Sequence, residues 1–546
     1  MERQHETKER RDKWECTEVE AEERRQLRDI ADKWERTEDE ATQNNTLKAL
    51  ADYTKLFLSR LKKPGTESSK WEHWPSARSN HDSEVKCTSD NAIPHRFNPS
   101  IHFKNNENEE TGQTGRLESI MQLGHDPIRL EELICMFDQD VVRSGVDRSH
   151  PTFFGLIPGS GHLLYSFAEY LASIAHVVPL NRDLNAGACD MEASVLRWAS
   201  DIIGYPEQAR GCTVSGTSMG VIVAFSTARH IKLENSSQFN RSVVYLTNDA
   251  HPCHTRALRI VGLTDVAQRR VPTRNHRMDV GKLQEMIAED QEAGLRPFMV
   301  VGTAGTMNLG AIDPLGAIGE VALTNGLWFH VDAAVGGFLI LDDSVKKTCE
   351  GINMADSVAM DFHKALSAPY GTAAVLVRDG SHLKSSMARE SATYMSDAAE
   401  GGKYSPVDFT FEFTRPCRTF PVWFMLKILG VDMIKAALEE KVRLTKYALK
   451  SIRAITNVVT CMEPDLTVIA FRYVSPDAKN ENDVTRKWHE LIAEEGQVCL
   501  TPTEEDGLFY IRLCILSFRS HIEDVDTALA SIKRNLHAII KQDICD

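Results

Sequence analysis

Between residues 200 and 380, short runs of β-branched and apolar side chains alternate with stretches whose apolar positions recur at helical spacing. SVVYL, FMVVGTA, WFHVDAA and AAVLVRD are short and almost continuously apolar, which predicts buried strands. Strands alternating with helices predict a mainly parallel sheet with helices on both faces. Beyond residue 420, LTVIAFRY and LFYIRLCIL predict two further strands, with helices at VTRKWHELIAEEG and IEDVDTALASIKRNLHAII, so a smaller α+β unit follows. Ahead of the sheet, from Leu117, the patterns LEELICMFDQDVV and HLLYSFAEYLASIAHVV are amphipathic helices separated by Pro and Gly breaks.

The first part of the chain reads differently. Of the first 42 residues 25 are charged, and RDKWECTEVEA from Arg11 nearly repeats as ADKWERTEDEA from Ala31. Trp14, Leu27, Ile30 and Trp34 have loosely helical spacing among Glu and Arg, which predicts a solvated or partner-bound helical extension over 1–62. One duplication is too few for a solenoid, where about three units share a buried face. Residues 63–115, with TESSKWEHW and NNENEETGQTG, are polar and read as a disordered linker.

Composition narrows the function classes. The 546 residues carry 63 Lys and Arg against 78 Asp and Glu, a net charge of −15, which argues against a nucleic-acid-binding chain because phosphate neutralisation needs clustered cations. The 12 cysteines form no CxxC pair and predict buried thiols in a reducing compartment, hence a cytoplasmic protein. MERQHETKERRDKWE has no apolar core and no 18 apolar residues run together, so neither secretion nor membrane spanning is expected.

Chemistry concentrates in four segments. In SVAMDFHKALSAPYG, Lys364 follows a strand-like run beside His363, and desolvation there would lower the lysine pKa and favour imine formation. In WFHVDAAVGGFLI, Asp332 ends an apolar strand and is followed by small residues that leave room for a planar ligand. A carboxylate so placed either caps a turn or pairs with a protonated ring nitrogen, the partner that pyridoxal phosphate needs. Ser215, Gly216, Thr217 and Ser218 form a hydroxyl-rich turn into a helix, either an ordinary N-cap or a phosphate site. In NDAHPCHTRA, His251 follows an apolar strand and could stack on a cofactor or lie in the core; Cys253 and His254 fall short of the four ligands zinc normally takes, so no metal is predicted.

The order of these segments resembles the fold-type I, group II pyridoxal-phosphate-dependent amino-acid decarboxylases, with sphingosine-phosphate lyase a more distant likeness. HPTFFGLIPGSG, MEASVLRWASDIIGYP, VSGTS, NDAHPCHTRA, GTMNLGAIDP, HVDAAVGGF, DFHK and YIRLCILSFRSHIEDVD carry it, over roughly 150–540. The resemblance implies an α/β catalytic unit with a seven-stranded, mainly parallel sheet: a helical segment over 116–200, a cofactor-binding large domain over 201–425 and a small domain over 426–546. It makes Lys364 the cofactor-linked lysine, Asp332 the partner of the pyridine nitrogen, and His251 the ring-stacking, proton-handling histidine. Gly216, Thr217 and Ser218 become phosphate contacts, Ala334 packs under the ring, and Thr306, Asp361 and His363 complete the cofactor shell.

The same resemblance places Tyr394, in SATYMSD, on the loop whose tyrosine protonates the carbon that has lost carbon dioxide. Relatives with phenylalanine there tend to make aldehydes, so Tyr394 implies simple decarboxylation. Met219, Met307 and Asp361 depart from the usual family residues and weaken substrate assignment. Phe153, Phe154, Leu156, Ile157 and Pro158 stand where relatives acting on acidic substrates carry a polar segment, which implies an apolar pocket and an aromatic or hydrophobic amino acid. A homodimer with shared sites is implied, Arg415 and Trp423 serving packing or interface roles. The alternatives are a pyridoxal-phosphate lyase or carbon–carbon bond-forming enzyme, which VDAAVGGF and DFHK also suit, and an inactive scaffold.

Overall fold

The computed structural model describes residues 18–61, 127–142, 145–233, 235–387, 404–475 and 481–545. The predicted linker over 63–115 and Tyr394 lie outside the described residues. The large sheet has seven strands: β1 (Arg210–Val214), β2 (Ser242–Leu246), β3 (Ala267–Arg270), β4 (Arg296–Thr303), β5 (Trp328–Asp332), β6 (Ser357–Asp361) and β7 (Ala373–Val377). Their spatial order is β1-β7-β6-β5-β4-β2-β3, and all pairs are parallel except those that β7 makes with β1 and β6. The predicted seven-stranded, mainly parallel α/β sheet is therefore present.

Its strands read as continuous apolar runs because both faces are covered. Val243, Tyr245, Phe329 and Val331 belong to the core on one side, whereas Val244, Leu246, Met299 and Trp328 belong to the core on the other. Period-2 alternation thus distributes apolar side chains between two cores, with no polar face. Strand β3, AQRR, escaped the sequence pattern because it is an edge strand with half-exposed side chains.

The helices that matter here are α1 (Glu18–Glu35), α2 (Glu40–Leu61), α3 (Leu163–Ile174), α4 (Arg182–Ile202), α5 (Thr217–Lys232), α6 (Cys253–Ile260), α7 (Thr419–Leu429), α8 (Val431–Arg453), α9 (Glu481–Glu495) and α10 (Ile522–Cys545). The small domain adds an antiparallel sheet of β8 (Val458–Thr460), β9 (Val468–Tyr473), β10 (Thr501–Glu505) and β11 (Leu508–Cys514), in the order β8-β9-β11-β10. Strands β9 and β11 are the two apolar runs foreseen in the sequence; the outer strands, VVT and TPTEE, are short or polar.

The described part of the charged extension packs on the rest of the chain. Leu27, Ala31 and Trp34, spaced four and three residues apart, form one buried stripe of α1. Leu27 joins the small-domain core, and Trp34 packs against Ala437 and Phe518. The indole meets the rings of His162 and Phe518 edge-on, each with centroids 5.5 Å apart, while Arg24 pairs with Asp526 at 3.0 Å. Ile30, at the margin of the same stripe, is half-buried. Helix α2 then reaches α3, where Leu50 is buried and Thr54 Oγ1 lies 3.1 Å from the Tyr170 hydroxyl.

Replacing Trp34 by alanine is expected to cost about 3 kcal/mol, the range for a buried aromatic ring. Limited proteolysis within Glu18–Glu35 should accelerate as the helix is released; cleavage at the wild-type rate would show that the ion pairs alone hold it.

Candidate active site

Strands β1, β2, β4, β5 and β6 end on one edge of the sheet, and the predicted site residues follow those ends. Asp332 closes β5, in register with Thr303 of β4 and Ala359 of β6, and Asp361 closes β6. The carboxyl edge of an open α/β sheet is where loops of different crossovers meet, and ligands bind there.

Lys364 sits three residues past Asp361. Its ammonium donates to Asp361 Oδ2 at 2.8 Å, and Asp361 Oδ1 accepts the Thr217 N–H at 2.8 Å. The lysine side chain keeps 25% of its surface exposed although Asp361 is buried, so its amine can be reached from the site. His363 is held by its own N–H and by Nδ1, both against the Thr372 carbonyl, and its Nε2 lies 3.7 Å from Asp361 Oδ2. Gly159, in the IPGSG segment, packs so closely on this turn that a Cβ would lie 1.8 Å from the His363 carbonyl oxygen. Only glycine allows that approach.

Asp332 is buried, and its Oδ1 accepts the Ala334 N–H at 3.1 Å. His251 is half-buried, and its Nδ1 accepts the Cys253 N–H at 3.1 Å, which places the proton of the neutral ring on Nε2. Desolvation holds the His251 pKa below the ordinary histidine value against the opposing pull of Asp332. His254 is fully buried behind it, with Nε2 3.5 Å from Asp332 Oδ2. Cys253, His254 and Asp332 bring one ligating atom each within 4.8 Å of one another, one fewer than the usual zinc set. Burial pushes the Cys253 thiol up to about 12.

The SGTS turn leads into α5, a helix of 16 residues whose N-terminal end carries partial positive charge. Ser218 is exposed there and Gly216 half-buried, whereas the Thr217 hydroxyl is buried with no hydrogen-bond partner. An orphaned hydroxyl at the positive end of a helix suits a phosphate, so the residues present fit pyridoxal phosphate: hydroxyl turn, carboxylate and amine lie on one edge.

The remaining predicted residues divide. Thr306 is buried, and its hydroxyl accepts the Ala311 N–H at 3.1 Å, which pins the loop after β4. Ala334 is half-buried, as a residue beneath a ligand would be. Ile157 is half-buried and Leu156 exposed, whereas Pro158 is buried. Phe153 and Phe154 are almost completely buried, Phe154 within the small-domain core, so their rings serve packing in this arrangement. Met219 is half-buried and Met307 exposed. Arg415, expected to serve packing, forms an ion pair with Glu192 in which both side chains are at most 1% exposed, and Trp423 is half-buried on α7.

Arg512 escaped the sequence reading. It reaches from β11 to donate to the carbonyls of Asn308 and Met307, at 2.6 and 2.9 Å, and to Thr501 Oγ1 at 2.9 Å. An arginine within LFYIRLCIL was the available signal, because a buried cation in an apolar strand needs partners.

A twisted, mainly parallel sheet with a lysine, an aspartate and an anion-binding helix end on its carboxyl edge defines a fold-type I pyridoxal-phosphate enzyme. The model of the pyridoxal-dependent decarboxylase conserved domain matches residues 125–474, and the chain belongs to that family. Aromatic-L-amino-acid decarboxylase of Bacillus atrophaeus is 29% identical over 76% of this chain and 87% of its own. An acidic amino acid decarboxylase of Xenopus tropicalis is 27% identical over 74% and 82%. The crystal structure of Oryza sativa TDC with PLP and tryptamine superposes with a TM-score of 0.75 at 21% identity, covering 79% of this chain and 92% of that one. The protein is thus a pyridoxal-phosphate-dependent amino-acid decarboxylase, a carboxy-lyase.

One buried group near the site carries a pH consequence. His330 is fully buried, with Nδ1 2.8 Å from a Ser357 hydroxyl that accepts the Trp328 indole N–H, and desolvation holds its pKa well below the ordinary value. The unfolded chain takes up this proton near pH ~6.5 while the folded protein does not, so stability falls as the pH drops below that value. Urea midpoints at neutral and mildly acidic pH should show the loss, and His330→Phe should flatten it. An equally steep loss in that variant would assign the effect elsewhere.

Proposed function

We propose that the enzyme decarboxylates an aromatic or otherwise hydrophobic L-amino acid, with Lys364, Asp332, His251 and Tyr394 as its catalytic residues. The observation that carries this reading is the shared environment of Lys364 and the Thr217 end of α5, joined through Asp361. Pyridoxal phosphate, when bound, supplies the electron sink for the bond to the departing carboxylate. Lys364 would hold the cofactor through its amine. Asp332 would keep the pyridine nitrogen protonated, while Gly216, Thr217 and Ser218 would receive the phosphate and His363 would border it. His251, whose neutral ring carries its proton on Nε2, would lie against the cofactor ring. Thr306 and Ala334 would close the ring's surroundings, and Tyr394 would supply the proton that replaces carbon dioxide, a general-acid contribution of ~10²–10⁴-fold.

The hydrophobic preference is supported by Leu156 and Ile157 at the mouth of the segment and by the aromatic-substrate relative of Bacillus atrophaeus. The nearby guanidinium of Arg512, which an acidic side chain would seek, is already committed to the Met307 and Asn308 carbonyls. Asp361, within DFHK, also suits lyase or carbon–carbon bond-forming chemistry, which the same lysine would serve. An L-amino-acid panel assayed for carbon dioxide, amine and aldehyde separates these readings. Amine and carbon dioxide from aromatic amino acids are expected; Lys364→Ala should abolish both, and Tyr394→Phe should replace amine by aldehyde. Carbon dioxide from glutamate alone, or none from any amino acid, would overturn the substrate assignment.

A homodimer is supported by the helix Leu130–Met136 and the turn after it, where Leu130, Leu133, Ile134 and Phe137 are each about half or more exposed (49–66%). Contiguous exposed apolar side chains of this kind seek a partner surface. Phe137→Asp should lower the sedimenting mass from twice 61.2 kDa to one chain; a wild-type monomer would refute the dimer. A cytoplasmic location is supported by eight free thiols among the described residues, although Cys135 is disulfide-bonded. No described helix is long and apolar enough to cross a membrane.

A further inference from the structure

Asp332 faces a buried histidine whose protonation the surrounding hydrogen bonds constrain. His254 Nδ1 lies 2.7 Å from the His251 carbonyl oxygen, which can only accept, so Nδ1 carries a proton. In the neutral ring Nε2 is then a bare lone pair. That atom is fully buried, has no hydrogen-bond partner and points at Asp332 Oδ2 across 3.5 Å, lone pair against carboxylate. Two buried acceptors facing each other are unfavourable, whereas one proton between them turns the contact into a charge-assisted hydrogen bond.

The other groups around His254 do not supply that proton. His330 Nε2 is itself without a hydrogen-bond partner, its ring centroid lying 6.1 Å away, Phe225 presents a ring with its centroid 5.9 Å away, and His251 carries its own proton on Nε2. Cys253 is the one competing donor, since its thiol belongs to the same 4.8 Å cluster and stays protonated.

We propose that His254 is a positioning residue that shares a proton with Asp332 Oδ2 and so fixes the plane of the carboxylate. Ala334 N–H holds Oδ1 from the other side at 3.1 Å. With both oxygens tethered, the carboxylate cannot rotate, and its remaining lone pairs keep one direction for a ring N–H. This inference rests on the reading of Asp332 as the partner of the pyridine nitrogen.

The test uses the full-length protein freed of cofactor, with ¹⁵N-labelled histidine. The resonances of His254, assigned by their loss in His254→Gln, should show a proton on both ring nitrogens at neutral pH. Asp332→Asn should remove the one on Nε2, and Cys253→Ala should leave it. A bare Nε2 in the wild type, or loss of the signal in Cys253→Ala, would overturn the proposal, as would zinc retained by the protein at one ion per chain.

Cofactor titration, followed by tryptophan fluorescence, gives an independent measurement. His254→Phe should weaken pyridoxal phosphate binding about tenfold, as expected for loss of a hydrogen bond to a charged group. His254→Gln, whose amide can still donate, should stay within about threefold of wild type by the same reasoning. Equal binding by wild type and both variants would overturn the positioning role. Asp332→Ala without effect on cofactor binding would instead refute the reading of Asp332, while the shared proton, seen without cofactor, stands or falls on its own.

Discussion

The carboxylate of Asp361 connects the parts of the site. It is buried at the end of β6, accepts the first N–H of α5 and receives the Lys364 ammonium, so the turn into α5, the strand end and the lysine share one acceptor. A carboxylate at this depth is stable only when such partners compensate its desolvation. The family's more usual asparagine, as the sequence resemblance implies, would still accept the helix N–H but would leave the lysine without a counter-charge. The aspartate therefore couples the placement of the lysine to the placement of the helix.

Close backbone approach is the second constraint. Gly159 lies against the His363 carbonyl, and Gly336 lies against Ala304, where a Cβ would come within 2.5 Å of the carbonyl oxygen. These contacts join the segment before α3 to the lysine turn and the turn after β5 to the end of β4. Arg512 adds a tether from the small domain, binding carbonyls in the loop after β4. The site is thus closed by segments from both domains, and its shape depends on their packing.

The N-terminal extension participates in that packing from behind. Trp34 meets His162 and Phe518, and His162 caps α3, whose Tyr165 hydroxyl donates to the Leu366 carbonyl at 2.8 Å. Leu366 is two residues beyond Lys364. A chain of buried contacts therefore runs from a charged, repetitive segment to the lysine turn.

Much of this was legible in the amino-acid order. Apolar runs such as SVVYL and WFHVDAA identify buried strands because burial on both faces leaves a one-dimensional signature. Lys364, Asp332, His251 and the SGTS turn were recognisable because their chemistry demands particular residue types in a particular order. Helix α1 was legible as a helix, but its docking was not, since charged residues surround the few apolar positions that pack. Phe153 and Phe154 looked like pocket residues for a similar reason: apolar character is visible in a sequence, whereas the direction of a side chain is decided by the strand and core it joins. The pairing of His254 with Asp332 and the reach of Arg512 into the loop after β4 were likewise decided only by the tertiary structure, because each joins residues separated by 78 positions or more along the chain.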